Sequence, residues 1–178
     1  LERARKGALS GLWITADRQT GGRGRRGRAW FSEPGNLYSS LLLIDAAPMD
    51  RLGSLPLAVA VAVQDAVSRV MPLGAPEVLV KWPNDILIER RKVCGILIEG
   101  EALPDGRHAL VIGIGINVSV APGAGLYPVA TLRDFGVSAS PDELFAHLFR
   151  SMAETLALWN RGRGIASIME RWKQVAGG

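Results

Sequence analysis

The sequence predicts an α+β fold in which a mixed, mostly antiparallel sheet packs on helices. Short apolar runs bounded by turn residues lie mainly in the first two thirds of the chain, and segments of helical periodicity precede and follow them. This grouping differs from the regular strand and helix alternation of doubly wound parallel sheets. With 48% hydrophobic and 21% charged residues, the 178-residue chain is long enough to bury a core. We therefore expect one domain over residues 1–178.

The predicted strands are apolar runs that end at glycine, proline, asparagine or aspartate. Pro104, Asp105 and Gly106 give a hairpin turn between the last two runs. A turn at residues 82–85 ends the third run, because proline removes a ladder donor and Asn-Asp suits a turn. The strands are expected at residues 12–16, 37–44, 78–81, 92–101 and 107–118.

The predicted helices combine apolar residues at helical intervals with residues that favour helix ends. Pro56 lies in the first turn of one segment, where its missing N–H costs little. Ser140 and Pro141 form an N-cap and first helical position for another. The helices are expected at residues 55–71, 141–160 and 165–175, and residues 1–10 resemble the end of a further helix.

The cysteine and histidine content and the hydropathy pattern exclude several classes of protein. Cys94 is the single cysteine, so an internal disulfide cannot form, and His108 and His147 alone give no Cys/His metal cluster. Residues 1–10 are basic but lack the apolar core of a signal peptide, and no apolar run reaches the roughly 20 residues of a membrane span. We expect a cytoplasmic protein with no membrane partner.

A segment rich in glycine and arginine, residues 19–30, follows the first predicted strand. Glycine lets the backbone approach a ligand closely, and the planar forks of arginine suit carboxylates and phosphates. Asp17 is the only acidic residue close to these cations, so the positive charge is local. An anion is the expected ligand of the five arginines Arg18, Arg23, Arg25, Arg26 and Arg28.

Residues 22–27 match the glycine spacing of a dinucleotide-binding loop, but their context argues against that function. A helix must lie between the two strands of such a unit, and Pro34 and Gly35 interrupt the short stretch available. A Walker A loop is excluded because no Gly-Lys-Ser/Thr closes the segment. A solvated basic loop or a nucleic-acid contact remains an alternative, although Trp30 and Phe31 favour a loop that folds over a ligand.

A second segment places polar residues at the end of one predicted strand and the start of the next. Lys81 ends the third strand, Asp85 lies in the turn after it, and Lys92 begins the following strand. Opposite charges would therefore meet at the rim of the sheet. The alternative is a purely structural turn in which Lys81 pairs with Asp85, with Glu99 facing solvent.

A third segment, residues 111–118, carries two glycines two positions apart. Because side chains alternate across a strand, Gly113 and Gly115 leave one face of it bare. Either a ligand or a closely packed helix would lie there. Cys94 lies in an apolar run without a nearby histidine, so we expect it in the core and not as a nucleophile.

In order and spacing, the three segments together closely resemble the catalytic domain of biotin protein ligases, also called biotin–[acetyl-CoA-carboxylase] ligases. The matching motifs are Gly-Arg-Gly-Arg-x-Gly-Arg-x-Trp at residues 22–30, Lys-Trp-Pro-Asn-Asp at 81–85, Lys-x-x-Gly-Ile-Leu at 92–97 and Gly-x-Gly-x-Asn at 113–117. The resemblance runs from about residue 12 to 118 and continues more weakly through the C-terminal helices. It implies the fold shared by biotin and lipoyl ligases and class II aminoacyl-tRNA synthetases.

The resemblance also implies roles for individual residues. The catalytic cations would be Lys92, Arg25 and Lys81, of which Lys92 would hold the biotin carboxylate and the α-phosphate. The biotin site would comprise Gln19, Arg23, Gly24, Arg25, Asp85, Lys92, Gly95 and Ile96. The nucleotide site would comprise Arg23, Arg25, Arg28, Trp30 and Asn117.

The implied activity is ATP-dependent formation of biotinyl-5'-AMP and transfer of biotin to a lysine of a biotin carboxyl carrier protein. Mg²⁺ would arrive with the ATP phosphates, and no protein metal site is expected. Two chains could pair through an exposed sheet edge. The family's Ser/Thr-Thr-Asn biotin segment, winged-helix module and C-terminal SH3-like domain are expected to be absent, so DNA binding is not expected. The alternatives are a lipoyl or octanoyl transferase of the same superfamily and, from another class, a basic nucleic-acid-binding module.

Overall fold

A six-stranded sheet organises the chain, whose computed structural model describes residues 1–123 and 128–177. The strand order is β1-β2-β6-β5-β4-β3, and each neighbouring pair is antiparallel. Parallel pairing occurs only as isolated bridges, Val80 with Ala176 and Lys92 with Val129, among the described residues. The strands are β1 Leu12–Ala16, β2 Leu37–Ile44, β3 Val78–Lys81, β4 Asp85–Ile88, β5 Arg91–Ala102 and β6 His108–Ile116.

The three long helices cover one face of this sheet, which confirms the predicted α+β class. The central helix is hydrophobic nearly all round, because it lies between the sheet and the two C-terminal helices. The last long helices are amphipathic and cover it from outside. The helices are α1 Glu2–Arg5, α2 Leu55–Ser68, α3 Pro141–Trp159 and α4 Ile165–Val175, with short 3-10 turns at Arg25–Gly27, Met49–Ser54, Arg133–Phe135 and Asn160–Gly162.

The core forms where α2 and α3 meet the sheet. On β6, the isoleucines at alternate positions are buried in this core, while Gly113 and Gly115 face the opposite side. Facing them from the helices, Leu144 and Leu148 of α3 are fully buried. One sheet face is therefore packed with aliphatic side chains under the long helices. On the other face, α1 packs through Ala4 against Leu42 and Ala109, and the rest of that face is open to form a site.

The helix α3 begins at the predicted cap. The Ser140 hydroxyl accepts a hydrogen bond from the Glu143 backbone N–H at 3.2 Å, and the Glu143 carboxylate accepts one from the Ser140 backbone N–H at 2.7 Å. This reciprocal pair is a capping box that satisfies two N-terminal donors.

No helix in the described part of the chain is long and apolar enough to cross a membrane.

Some predicted boundaries were wrong, and one strand was missed. The helix α2 ends at Ser68 and not at residue 71, because the chain tightens there into a turn in which Val70 N–H bonds to the Val67 carbonyl. The strand β4 was not expected, and the predicted turn at 82–85 ends one residue earlier because Asp85 already belongs to β4. Four residues after a proline turn gave too short a signal for a strand.

Candidate active site

The exposed face of the sheet carries a cleft of about 1070 Å³. Its floor comes from β2, β5 and β6, one wall from the turn between β3 and β4, and its cover from the glycine and arginine loop. All predicted site residues line this single cleft, although they come from distant parts of the sequence. They are Gln19, Arg23, Gly24, Arg25, Arg28, Trp30, Lys81, Asp85, Lys92, Gly95, Ile96 and Asn117.

The glycine and arginine loop folds back on itself as a short hairpin. Its two arms are joined by backbone hydrogen bonds from Trp30 N–H to the Gly22 carbonyl at 3.0 Å and from Gly24 N–H to the Arg28 carbonyl at 2.7 Å. The tip is a single 3-10 turn in which Arg26 has a positive φ of 58°. The absence of a longer helix between β1 and β2, both fully described, agrees with the rejection of a dinucleotide-binding unit.

The Gly95–Gly115 floor is a cross-strand glycine pair on β5 and β6, on which the Trp30 indole lies. A Cβ atom added at either glycine would come within 2.7 Å of the indole ring, closer than side chains tolerate. The indole Nε1 is buried without a hydrogen-bond partner. The bare strand face predicted from the sequence is therefore covered at Gly115 by an aromatic side chain of the loop and not by a helix, whereas the indole does not reach Gly113.

Lys92 and Asp85 form an ion pair at the side of this floor. The Lys92 Nζ lies 2.7 Å from the Asp85 Oδ1, and each side chain is about one quarter exposed. The Lys92 ammonium also lies 5.3 Å from the centre of the Trp30 ring, within cation–π range. Asp85 thus holds Lys92 in the cleft, and Lys81 and Asp85 lie opposite each other in the register of β3 and β4.

The cleft is strongly cationic. Eight of its described lining side chains are arginine or lysine and three are aspartate or glutamate. Of the three acids, Asp85 pairs with Lys92, and Glu99 lies 3.4 Å from Arg23. Glu99 therefore pairs with Arg23, whereas the alternative drawn from the sequence had it only facing solvent. The excess positive charge suits a polyanionic ligand such as a nucleotide triphosphate.

The biotin/lipoate A/B protein ligase family model matches residues 4–117, nearly two thirds of the chain. The chain belongs to this family. Among curated relatives, the bifunctional ligase/repressor BirA of Escherichia coli is 34% identical over 171 residues, which cover 93% of this chain. The biotin–[acetyl-CoA-carboxylase] ligase of Paracoccus denitrificans is also 34% identical over 171 residues and 92% of this chain.

The chain spans 52% of the length of the Escherichia coli relative and 37% of the BirA of Bacillus subtilis, to which it is 41% identical over 122 residues. It spans 70% of the Paracoccus protein. Among solved structures, a biotin protein ligase from Aquifex aeolicus in complex with biotin and ATP superimposes with a TM-score of 0.81 at 30% identity, covering 98% of this chain and 73% of that one. A Leishmania major ligase in complex with biotinyl-5-AMP gives 0.82 at 28% identity, covering 99% and 76%.

Asn84 also lines the site, although the sequence did not predict it as a site residue. Its side-chain Oδ1 accepts a hydrogen bond from Arg25 Nη1 at 3.0 Å, and its Nδ2 donates to the Ile96 carbonyl at 3.1 Å. Asn84 therefore links the loop to the floor strand. The sequence placed it in a turn beside Asp85 but gave no sign that an arginine 59 positions away would reach it.

The segment after β6 closes the back of the cleft, and Asn117 holds it. The buried Asn117 Nδ2 donates to the Ala130 carbonyl at 3.3 Å, while Lys92 exchanges backbone hydrogen bonds with Pro128 and Ala130. Gln19 is anchored at the opposite end, where its backbone N–H donates to the Ser32 hydroxyl at 2.7 Å. Both predicted residues thus line the cleft, Asn117 at its back after β6 and Gln19 at the opposite end before the loop.

Cys94 lies behind the cleft, in the core. Its side chain is fully buried, and burial raises the pKa of the thiol well above its usual range. A protonated, inaccessible thiol is not a nucleophile. Among the described residues, no group of three or more His, Cys, Asp or Glu side chains is arranged to hold a metal ion.

Proposed function

We propose that this chain activates biotin with ATP to form biotinyl-5'-AMP and transfers the biotinyl group to a lysine of a biotin carboxyl carrier protein. The observation that carries the proposal is the convergence of Lys92 and the loop arginines over the Gly95–Gly115 floor. Family membership supports it, as do related structures that hold biotin with ATP or biotinyl-5-AMP.

The first step joins two anions. A carboxylate oxygen of biotin attacks the α-phosphorus of ATP, and the bond from that phosphorus to the β-phosphate oxygen breaks as pyrophosphate leaves. Two unit charges 4 Å apart interact by about 4 kcal/mol at an effective dielectric constant of ~20, against about 1 kcal/mol in water. Cations that line a sheltered cleft therefore reduce this repulsion, and Lys92 and Arg25 are the residues we assign to it, with Lys81 as a further cation.

Lys92 is suited to this task because its position is fixed before any ligand binds. The Asp85 carboxylate holds its ammonium at 2.7 Å, and the centre of the Trp30 ring lies 5.3 Å from it. A preorganised charge needs no rearrangement when negative charge accumulates on the α-phosphate. We assign the nucleotide end of the cleft to Arg28, Trp30 and Asn117.

The part of the cleft beside the Trp30 indole and under the loop would receive biotin. The indole itself covers the glycine floor, so we assign the biotin end of the cleft to Gln19, Gly95 and Ile96 at its margin. Arg23 and Gly24 of the loop would cover the ligand from above. Mg²⁺ bound to the ATP phosphates would supply additional neutralisation of charge, and the excess of arginine and lysine in the cleft fits a nucleotide that brings its metal with it.

In the second step, the carrier lysine attacks the carbonyl carbon of the acyl-adenylate, an amide bond forms, and AMP leaves. The acyl-adenylate is a mixed anhydride that water would hydrolyse, so the loop that covers the cleft must exclude water until the carrier arrives. The carrier protein is the proposed partner. A cytoplasmic location and pairing of two chains through a sheet edge stay predictions.

The proposal is tested by offering the folded chain a purified carrier domain, ATP, Mg²⁺ and an equal mixture of biotin, lipoate and octanoate. Mass spectrometry of the carrier then identifies the group attached and the lysine that carries it. We expect biotinylation of a single lysine. Attachment of lipoyl or octanoyl groups in preference to biotin would instead support the acyltransferase alternative.

A further inference from the structure

We propose that Asn84 is a positioning residue that holds Arg25 over the cleft and thereby sets how long the acyl-adenylate is retained. The functional half of this inference rests on the proposed function. Its structural half concerns the ligand-free chain and can be tested without any substrate.

Asn84 is itself rigidly placed. Its backbone N–H donates to the Lys81 carbonyl at 3.2 Å, and its carbonyl accepts from Ile96 N–H at 2.9 Å. The side-chain Nδ2 donates to the Ile96 carbonyl at 3.1 Å. Because the Nδ2 end of the amide is engaged by the floor strand, the Oδ1 end must point toward the loop.

Arg25 meets that oxygen from the tip of the loop. Its Nη1 donates to Asn84 Oδ1 at 3.0 Å, which is the only side-chain hydrogen bond of Arg25 within residues 1–123 and 128–177. The next residue, Arg26, has a positive φ, so the tip is held in a conformation that L-residues rarely adopt. This contact across the cleft thus anchors the tip of the loop.

The chemistry of the anchor matters as much as its position. Asn84 offers a neutral oxygen, which orients the guanidinium without cancelling its charge, and four of the five Arg25 N–H donors stay available. Arg23, by contrast, lies beside the carboxylate of Glu99. Arg25 is therefore the loop arginine that is both fixed and free to bind a phosphate.

The ligand-free test is limited trypsin digestion, followed by mass spectrometry of cleavage after Arg28 on the far arm of the loop. If Asn84 anchors the loop through Arg25, Asn84→Ala accelerates this cleavage by about fivefold to tenfold, the effect of losing one hydrogen bond. In an Arg25→Ala background, Asn84→Ala should then add nothing. Independent, multiplying effects would overturn the anchoring, as would an unchanged rate in Asn84→Ala.

The functional test measures dissociation of preformed biotinyl-5'-AMP from the same four proteins. We expect Asn84→Ala and Arg25→Ala each to accelerate release by about fivefold to tenfold, with no further increase in the double variant. Effects that multiply would mean that Asn84 does not act through Arg25, which contradicts the inference. If the wild-type chain forms no biotinyl-5'-AMP, the proposed function fails, whereas the digestion result still decides the anchoring.

A conservative variant separates positioning from general damage to the turn. Asn84→Asp keeps an oxygen for Arg25 while losing the donor to Ile96, so it should restore slow trypsin cleavage after Arg28. It should also slow adenylate formation, because a carboxylate competes with the phosphate for Arg25. Cleavage as fast in Asn84→Asp as in Asn84→Ala, with both variants folded by circular dichroism, would contradict the inference.

Discussion

Gly95 and Gly115 lie directly opposite each other on β5 and β6, and neither could carry a side chain while the Trp30 indole occupies its present position. This pair connects a local sequence feature, two glycines on neighbouring strands, to the shape of the cleft. The indole in turn lies beside Lys92, so the floor also fixes the surroundings of the proposed catalytic ammonium.

The floor predicts a position-specific effect of adding one methyl group. Gly115→Ala should displace the indole and reduce biotin-dependent pyrophosphate release by about a hundredfold, because a shift of about 1 Å near reacting groups can cost that much. The matched control is Gly113→Ala on the same strand face, whose Cβ would meet only the Leu97 carbonyl at an ordinary 3.6 Å. Equal losses in both variants would show that the Trp30 contact is not the cause.

Lys92→Ala should block activation itself. Removing the ammonium leaves the approaching carboxylate and phosphate without their nearest fixed cation, and we expect adenylation to slow by about a hundredfold or more. The neighbouring control is Arg91→Ala, since Arg91 pairs with Glu89 and lies over the Phe135 ring, outside the cleft lining. Rapid-quench measurement of biotinyl-5'-AMP in the first turnover distinguishes this defect from slow transfer. Normal adenylation by Lys92→Ala would remove it from the assigned role.

Cys94 should resist thiol reagents while the protein is folded. Burial keeps the thiol inaccessible and raises its pKa, so little thiolate forms at neutral pH. A chromogenic disulfide reagent should therefore titrate no thiol in buffer and one thiol per chain in denaturant. Rapid reaction in buffer, with adenylation lost at the same rate, would assign Cys94 to the site.

The capping box of α3 predicts an acid-sensitive contribution to stability. Hydrogen bonds from the Ser140 backbone N–H and hydroxyl lower the pKa of Glu143 below its ordinary value. The ionised Glu143 carboxylate therefore contributes fully to the free energy of unfolding above its unfolded-state pKa. This contribution is lost as the pH falls through the lower folded-state pKa. Glu143→Gln should lower the Tm at pH 7, and the difference from wild type should shrink below about pH 4. A difference that grows on acidification would contradict this assignment.

The fold was predictable where hydrophobic pattern and turn residues agreed. Strands β1, β2 and β3 and helix α4 have the predicted boundaries, because each combines an apolar run with a clear break. The strand β4 was missed because it is four residues long and immediately follows a proline turn. Its existence depends on pairing with both β3 and β5, a long-range condition that local sequence does not contain.

The site was predictable as a set of residues but not as a set of contacts. Motif spacing indicated which side chains matter, and the structure brings them all to one cleft. The cover of Trp30 over the floor and the contact of Arg25 with Asn84 join positions 59 or more residues apart, so neither follows from local periodicity. The hairpin form of the loop was also unexpected, because its backbone bonds are not encoded by an alternating apolar pattern.

The most direct test of the central claim is pyrophosphate release from ATP and Mg²⁺ by the folded chain, measured separately with biotin, lipoate and octanoate. The proposed function predicts release that depends on biotin and stays at background with the other two acids. Release with lipoate or octanoate and none with biotin would contradict it, and so would background rates with all three acids in a chain shown to be folded.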